Sequence, residues 1–475
     1  MHSDVLVIGS GSAGSIVAEA LSADPSCSVT VVESGSGLSD PVLAAQVARG
    51  TRLPIGPGSP VVRRYHAELT EATDNAISIV RGATLGGSGA VNGGYFCRAL
   101  PADFVGLPRG WSWSEILESY RAVENDRDFD GPQHGDCGPI PVRRTREMSS
   151  GTEQFINAVS RSGFAWIDDL NDTTRTGPGI GAVPLNIVDG VRSGPGEVIL
   201  GPALTRHNLS VLTHTQAVRV DIDGDRAVAV LAIGPHGPVR LTADRIMLCA
   251  GAIGSAHLLM LSGIGPETML RQAGVEVRVP LPVGQYCSDH PEWLVSAPWS
   301  PTPDRPVLET VLHHEDIEIR PYTASFAAMT GDGRTGERPQ IGVALMTPRA
   351  RGRISLISAD PQVPPRIQYR YDSEPKDLAA LQRGVDLVGQ MLGVHTVSAS
   401  PRWSTSQHLC GSVPMGAADE SWAVLDAHCS VRGLDGLWVI DGSVLPHITS
   451  RGPHATVVML AHRAVTLMRD QARSR

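Results

Sequence analysis

Residues 4–33 read DVLVIGSGSAGSIVAEALSADPSCSVTVVE, and the order of features in this stretch decides the fold. A five-residue apolar run, 4–8, enters Gly9-Ser10-Gly11-Ser12-Ala13-Gly14 with no linker. Ile16, Val17, Ala20 and Leu21 then recur at helical spacing. After Pro25 a second apolar run, 29–32, ends on Glu33. Strand, G-x-G-x-x-G, helix, strand and acid in this order make a βαβ unit with a dinucleotide fingerprint. Gly9 permits the tight turn, Gly11 lets the backbone approach a pyrophosphate, and Gly14 lets the helix pack on the strand. The helix start, with Ser12 and Ala13, offers free N–H groups and the positive end of its dipole. Glu33 can accept hydrogen bonds from both ribose hydroxyls of an adenosine. The motif alone does not distinguish NAD from FAD.

At 475 residues the chain is too long for one core, and at least two domains are expected. A 41% hydrophobic and 19% charged composition is that of a globular protein, and 51 Gly with 35 Pro suits many strands and turns. The net charge of −9 argues against a nucleic-acid surface. No apolar run reaches bilayer-spanning length, and only Met1, His2 and Ser3 precede the first strand, which leaves no room for a cleavable signal peptide. Seven scattered cysteines without a C-x-x-C read as reduced thiols of a cytoplasmic protein.

Beyond Glu33 the chain reads as Pro- and Gly-rich loop to about residue 60. A strand at 78–80 leads into RGATLGGSGAVNGGYF, residues 81–96. So many small residues in succession mean either that something large lies against the backbone or that the loop is flexible. Asn92 there can aim its amide at a cofactor or cap a helix. Helices are expected over 114–124 with Ser114 as N-cap, and over 150–162, 196–204, 255–261, 375–391 and 456–468. Strands are expected over 208–212, 216–222, 227–233, 245–249, 352–356 and 437–440, with a hairpin turn at 223–225. Residues 168–186 read as loop. Residues 291–340 shift toward charge, Pro and Thr, as a different domain would. His313-His314-Glu315-Asp316 reads as a solvated loop, since sequence neighbours without a partner cluster make a poor metal site, and no metal is expected.

Five blocks, in order along essentially the whole chain, resemble the glucose-methanol-choline (GMC) family of FAD-dependent oxidoreductases. They are the fingerprint to Glu33, LGGSGAVN at 85–92, residues 251–265, HLCGSVPMG at 408–416, and residues 437–459. The wording of residues 80–98 is most similar to the mycofactocin-system branch of that family. The resemblance implies an α/β fold. A discontinuous, Rossmann-like FAD domain (1–98, 190–287, 424–475) is interrupted by a substrate domain on an antiparallel or mixed sheet (99–189, 288–423). It implies FAD-dependent dehydrogenation of an alcohol-type substrate by proton abstraction and hydride transfer to flavin N5. In the narrower branch the substrate is a reduced peptide-derived redox cofactor, and electrons pass toward a respiratory acceptor. The alternatives are a GMC oxidase or dehydrogenase of a small alcohol such as choline, more distantly a lyase, or a non-catalytic flavin electron-transfer partner.

The same resemblance assigns residues. FAD is expected against Gly9, Gly11, Ser12, Ala13, Gly14 and Glu33, against Gly82, Gly86, Gly87, Asn92 and Gly93, and against the backbone of Val218. Asp441, Gly442, Ala455 and Thr456 complete the set. Val91 stands where some members attach FAD through a histidine, so the attachment is expected to be non-covalent. His408 is expected to be the base, and His454, at the start of the last helix, to hold the substrate oxygen and share the proton. Two close imidazoles titrate as a pair. His257, His290 and His462 keep an ordinary structural reading. Arg63-Arg64-Tyr65 reads either as part of a lid over the flavin or as a solvated face. Arginines near the C-terminus favour the helix dipole and leave open contact with the inner face of a membrane.

Overall fold

A computed structural model describes residues 2–72, 75–174, 177–334, 336–393 and 402–473 of the chain. The first strand, His2–Ile8, is flanked in parallel by Val29–Val32 and by the far half of Gly237–Leu248. Leu209–Leu212 extends the parallel run on one side and Leu437–Val439 on the other. Val5, Leu6, Val7, Val29, Val31 and Val32 are almost wholly buried, as parallel strands covered on both faces must be. The near half of Gly237–Leu248 turns antiparallel to Arg226–Gly234, which pairs with Gln216–Asp223. One seven-stranded sheet is thus assembled from both ends and the middle of the chain. Helices Ser12–Ser22, Gly251–Leu261 and His454–Arg473 bury their apolar residues in the same core.

A second seven-stranded sheet runs Arg402–Thr405, Pro291–Ser296, Gln340–Leu345, Ile317–Pro321, Thr310–His314, Gly179–Ala182 and Trp166–Ile167. Its pairs are antiparallel except the last, so it is mixed. The period-2 alternation of strands divides its faces. Ile317, Ile319 and Val343 pack under helices Ser150–Arg161 and Pro375–Leu392. Glu318 and Arg320, from the intervening positions, are on the other face. The composition of 291–340 did not show these strands, because polar residues such as Glu318 and Arg320 are buried rather than solvated. Thr310–His314 and Ile317–Pro321 form a hairpin turning at Glu315, and buried His313 bonds Glu318 through Nε2 at 2.7 Å. The solvated-loop reading is corrected for His313 and His314, which are strand residues, while Glu315 and Asp316 form the turn, with Glu315 exposed.

Other expectations shift by local chemistry. The supposed loop to residue 60 contains helix Pro41–Ala48, capped by Asp40, whose carboxylate accepts from the Val42 N–H. The helix expected from Ser114 is Trp113–Val123. Its cap is Ser112, because Glu115 accepts both the backbone N–H and the hydroxyl of Ser112 in a capping box. Strand Gly179–Ala182 lies in the supposed loop 168–186: its glycines leave no room for a side chain against Ile167 and Leu170. A four-stranded sheet joins Val62–Glu68 and Ala76–Gly82 to Arg353–Ser355 and Arg366–Gln368, linking stretches that the sequence assigned to different domains. All seven cysteines are free thiols. Among the described residues no helix is long and apolar enough to cross a membrane. Residues 474–475, part of the basic C-terminus, lie outside the described residues.

Candidate active site

Gly9, Glu33, Gly251 and Asp441 each lie within three residues of the C-terminal end of a parallel strand. Ligands of open α/β sheets bind at that edge. All four line one cavity of about 520 Å³ that runs from this edge to the second sheet. The size is that of a site for a cofactor and a small ligand.

The two glycine-rich blocks meet at its nucleotide end. Gly87 has φ +54°, and a Cβ there would lie 2.7 Å from Gly11 Cα. A Cβ on Gly14 would lie 1.9 Å from the Gly9 carbonyl oxygen, which fixes the close packing of helix on turn. The backbone is thereby bare where a pyrophosphate would lie, at the start of helix Ser12–Ser22. Purified Gly87→Val is expected to carry less than about a tenth of the wild-type flavin, at least about 1.4 kcal/mol in binding. A full flavin-to-protein absorbance ratio in that variant would exclude this role.

Gly9, Gly11, Ser12, Ala13 and Glu33 line the cavity, as do Gly82, Gly87, Asn92, Gly93, Asp441 and Gly442. Glu33 is already much engaged: Oε2 accepts from the Ser10 N–H at 3.0 Å and hydroxyl at 2.7 Å, and Oε1 from the Gly35 N–H at 2.7 Å and, more weakly, the Ser34 hydroxyl at 3.5 Å. It locks the fingerprint turn, and a ribose hydroxyl would take the Oε1 site that the Ser34 hydroxyl holds only weakly, rather than find two free accepting sites. Asn92 Oδ1 accepts from the Gly94 N–H at 2.9 Å, so its amide shapes its own loop. The Asp441 carboxylate accepts from Gly251 N–H, Ser255 hydroxyl and Ser443 N–H at 2.9, 2.6 and 2.8 Å. Burial raises its pKa against these donors.

Five expected contacts stand off the cavity wall. Gly14 serves packing, and Gly86 at φ +87° faces Ala90 and Gly196. Val218 falls in a register shift between Ala217 and Arg219, which leaves Gln216 and Ala217 on the wall in its place. Ala455 and Thr456 are fully buried, and the Thr456 hydroxyl bonds the Tyr120 hydroxyl at 2.7 Å. Arg63 and Tyr65 do line the cavity, while Arg64 is exposed and donates to the Ile55 and Gly56 carbonyls.

His408 and His454, 46 residues apart in sequence, line the same cavity. Both ring nitrogens of His454 are buried with no hydrogen-bond partner among the described residues, and its ring meets Phe96 edge-on at 5.4 Å. Such orphaned nitrogens fit a site that a ligand completes. Burial, with the Arg192 charge adding to it, lowers the His454 pKa to about 4. Burial, then His290 and Arg320, hold that of His408 well below the usual value. Both are neutral bases at physiological pH. The imidazole against His408 is His290, Nδ1 to Nδ1 at 2.9 Å. His408 thus has beside it an imidazole that the sequence reading did not name as its partner, while His454 lines the same cavity.

Three features were missed from sequence. His290 lies within a family-like stretch but kept an ordinary structural reading there, with nothing to mark it as a partner of His408. Arg192 is fully buried, and its guanidinium binds the carbonyls of Val47, Arg52, Ala90 and Asn92, bracing the second glycine block. Across the cavity stand Glu292 and Arg320, from the strands Pro291–Ser296 and Ile317–Pro321 that flank Gln340–Leu345 in the second sheet, and Tyr322, just past Ile317–Pro321, with Tyr322 donating to Glu292 at 2.8 Å and Arg320 Nε to Glu318 at 2.6 Å. Only the period-2 face of a strand places them, and no motif marks it.

Away from the cavity, Glu124, Asp126 and His134 lie close enough to hold a metal ion. Their atoms are already used. Arg98 pairs with Glu124, Arg144 with Asp126 and Asp169, and His134 Nε2 with Asp169 at 2.9 Å. Burial would lower His134, but Asp126, Asp169 and Glu124 outweigh it and raise its pKa to about 10. Three cations face three carboxylates, a balanced buried ion cluster.

The sequence profile of the GMC oxidoreductase family matches residues 3–292 with its N-terminal part and 348–461 with its C-terminal part. An uncharacterized GMC-type oxidoreductase in the thcA 5′ region of Rhodococcus erythropolis is 40% identical, over 98% of each chain. Pyridoxine 4-oxidase of Microbacterium luteolum is 31% identical, over 98% of this chain and 99% of its own. Oxygen-dependent choline dehydrogenase of Vibrio vulnificus is 28% identical, over 98% and 94%. The crystal structure of pyridoxine 4-oxidase from Mesorbium loti superposes with a TM-score of 0.88 at 26% identity, over 98% and 99% of the chains. The bare glycine backbone and the orphaned nitrogens of His454 both fit the flavin dinucleotide that the sequence implied. The chain belongs to the GMC oxidoreductase family and is an FAD-dependent oxidoreductase of alcohol-type substrates.

Proposed function

We propose that this enzyme re-oxidises the reduced form of mycofactocin, a peptide-derived redox cofactor, and passes the electrons to a respiratory acceptor. The observation that carries the chemistry is the convergence of His408 and His454 on the cavity that the fingerprint glycines line. Bound FAD supplies the hydride acceptor, flavin N5. His408 takes the hydroxyl proton of the donor, and His454 holds the oxygen with its unpartnered ring. The branch is supported by the wording of residues 80–98. A ring-bearing donor is supported by Tyr95, Val307, Leu308, Tyr322 and Phe326, which line the cavity. FAD is held non-covalently: Val91 offers no nucleophile. Residues 1–98, 190–287 and 424–475 carry the cofactor, and 99–189 and 288–423 the substrate. The enzyme works on the cytoplasmic side, with its basic C-terminus toward the membrane face.

The second reading is oxidation of a small alcohol such as choline. It is favoured by the choline- and pyridoxine-named relatives and by the Glu292 carboxylate on the cavity wall. Anaerobic mixing with candidate donors, followed by oxygen, quinone or membranes, separates the two. The expected result is bleaching of the flavin by a mycofactocinol and reoxidation by quinone or membranes. Bleaching by choline but not by a mycofactocinol selects the second reading. No bleaching by any donor leaves a non-catalytic flavin carrier.

A further inference from the structure

His290 and His408 approach through their Nδ1 atoms at 2.9 Å, with ring centroids 5.1 Å apart and planes at 90°. Two lone pairs repel and two N–H groups clash, so one Nδ1 donates and the other accepts. The far nitrogen of His290 decides which. Its Nε2 is 2.9 Å from the Thr449 carbonyl oxygen, which only accepts, so this nitrogen carries a proton. His290 is fully buried, and burial, followed by the Arg320 charge, lowers its pKa to about 3. A neutral imidazole carries one proton, so Nδ1 of His290 is the acceptor and Nδ1 of His408 the donor. His408 is neutral too. Its lone pair is therefore on Nε2, the nitrogen left free by His290 on a residue that lines the cavity.

We infer that His290 is a positioning residue that fixes the tautomer of His408, so that His408 takes the hydroxyl proton of the donor at Nε2 rather than Nδ1. The inference rests on the alcohol-oxidation reading above and deepens it. The preceding residue completes the arrangement. Asp289 Oδ1 accepts the backbone N–H of both His290, at 2.8 Å, and His408, at 2.6 Å. Its Oδ2 accepts from Tyr371 at 3.0 Å and from Thr405. One dipeptide thus holds the base by its backbone and by its ring. A histidine present only to fill the core and satisfy Thr449 needs no partner at Nδ1. This one spends its remaining lone pair on the base. The proton leaving the donor ends on Nε2, making an imidazolium whose Nδ1–H bond to His290 strengthens as charge develops.

The test is made on holoenzyme labelled with ¹⁵N-histidine, using two-bond ¹H–¹⁵N correlations. His408 is identified by its absence from the His408→Asn spectrum. Wild-type His408 is expected as the Nδ1–H tautomer. In His290→Ala the proton redistributes toward Nε2, and anaerobic flavin reduction slows by about 10²-fold with flavin content unchanged. In His290→Asn, Oδ1 stands near the former Nδ1 as an acceptor, and both the tautomer and most of the rate return. Wild-type His408 protonated on Nε2 overturns the inference, as does His290→Ala with unaltered tautomer and rate. If His290→Ala does not fold, the wild-type and His290→Asn spectra decide alone. The spectra are of resting enzyme, so failure of every donor to bleach the flavin refutes the alcohol reading and leaves the tautomer assignment separately measured.

Discussion

His408→Ala is expected to keep its flavin and to lose about 10²- to 10⁴-fold in the rate of anaerobic flavin reduction, the usual contribution of a positioned general base. Flavin is retained because the expected cofactor contacts come from the fingerprint, the second glycine block and the Asp441 turn, none of which His408 holds. The pH dependence carries a sign. A base is competent when unprotonated, and burial together with His290 and Arg320 holds the His408 pKa well below its ordinary value. His454 is lowered to about 4. The wild-type rate therefore stays level as pH falls from 8 to 6, where an ordinary imidazole near 6.5 would lose most of its free base. Stopped-flow reduction across that range checks both parts. Equal rates in variant and wild type remove His408 as the base, and an acid limb centred near 6.5 shows that His408 and His454 are not held neutral over that range.

The second large effect is on stability. Arg144→Met leaves Asp126 and Asp169 buried without their guanidinium and is expected to cost about 3–5 kcal/mol. His134 adds a pH signature. Its folded pKa is about 10 against 6.5 for the free side chain. A raised folded pKa means that the contribution is fully present below about 6.5 and is lost as pH rises through about 10. Asp126 and Asp169 have the opposite sign: burial works against their charge, but His134 and Arg144 lower their pKa values, so that support fades at acid pH. Thermal midpoints at one scan rate, for wild type and His134→Gln, are expected to differ most near pH 6 and to converge toward pH 10. A gap that stays constant over this range would show that His134 is uncharged in the folded protein.

The cluster also marks a limit of sequence reading. Arg98, Glu124, Asp126, His134, Arg144 and Asp169 follow no spacing rule, and each in isolation reads as surface charge. They become a unit because Glu124–Asp126 and Ile140–Val142 pair as strands and bring their flanking residues together inside the protein. The same holds for the second sheet. Glu318 and Arg320 read as solvated residues until the strand alternation turns them inward toward one another.

What residues 4–33 determined by themselves was the nucleotide-binding edge. Strand, turn and helix there are set by local rules, the glycines by close backbone approach, and both sheet neighbours of His2–Ile8 are apolar runs of evident β character. The remaining blocks, read together, were enough for the family and its flavin. Tertiary structure decided how His408 is held. His290 and His408 are 118 residues apart, and which nitrogen of an imidazole carries its proton depends on the group facing the other nitrogen. Sequence names the side chain but not its neighbour. That neighbour is supplied by the antiparallel pairing of Pro291–Ser296 with Arg402–Thr405, whose ends bring His290 and His408 together.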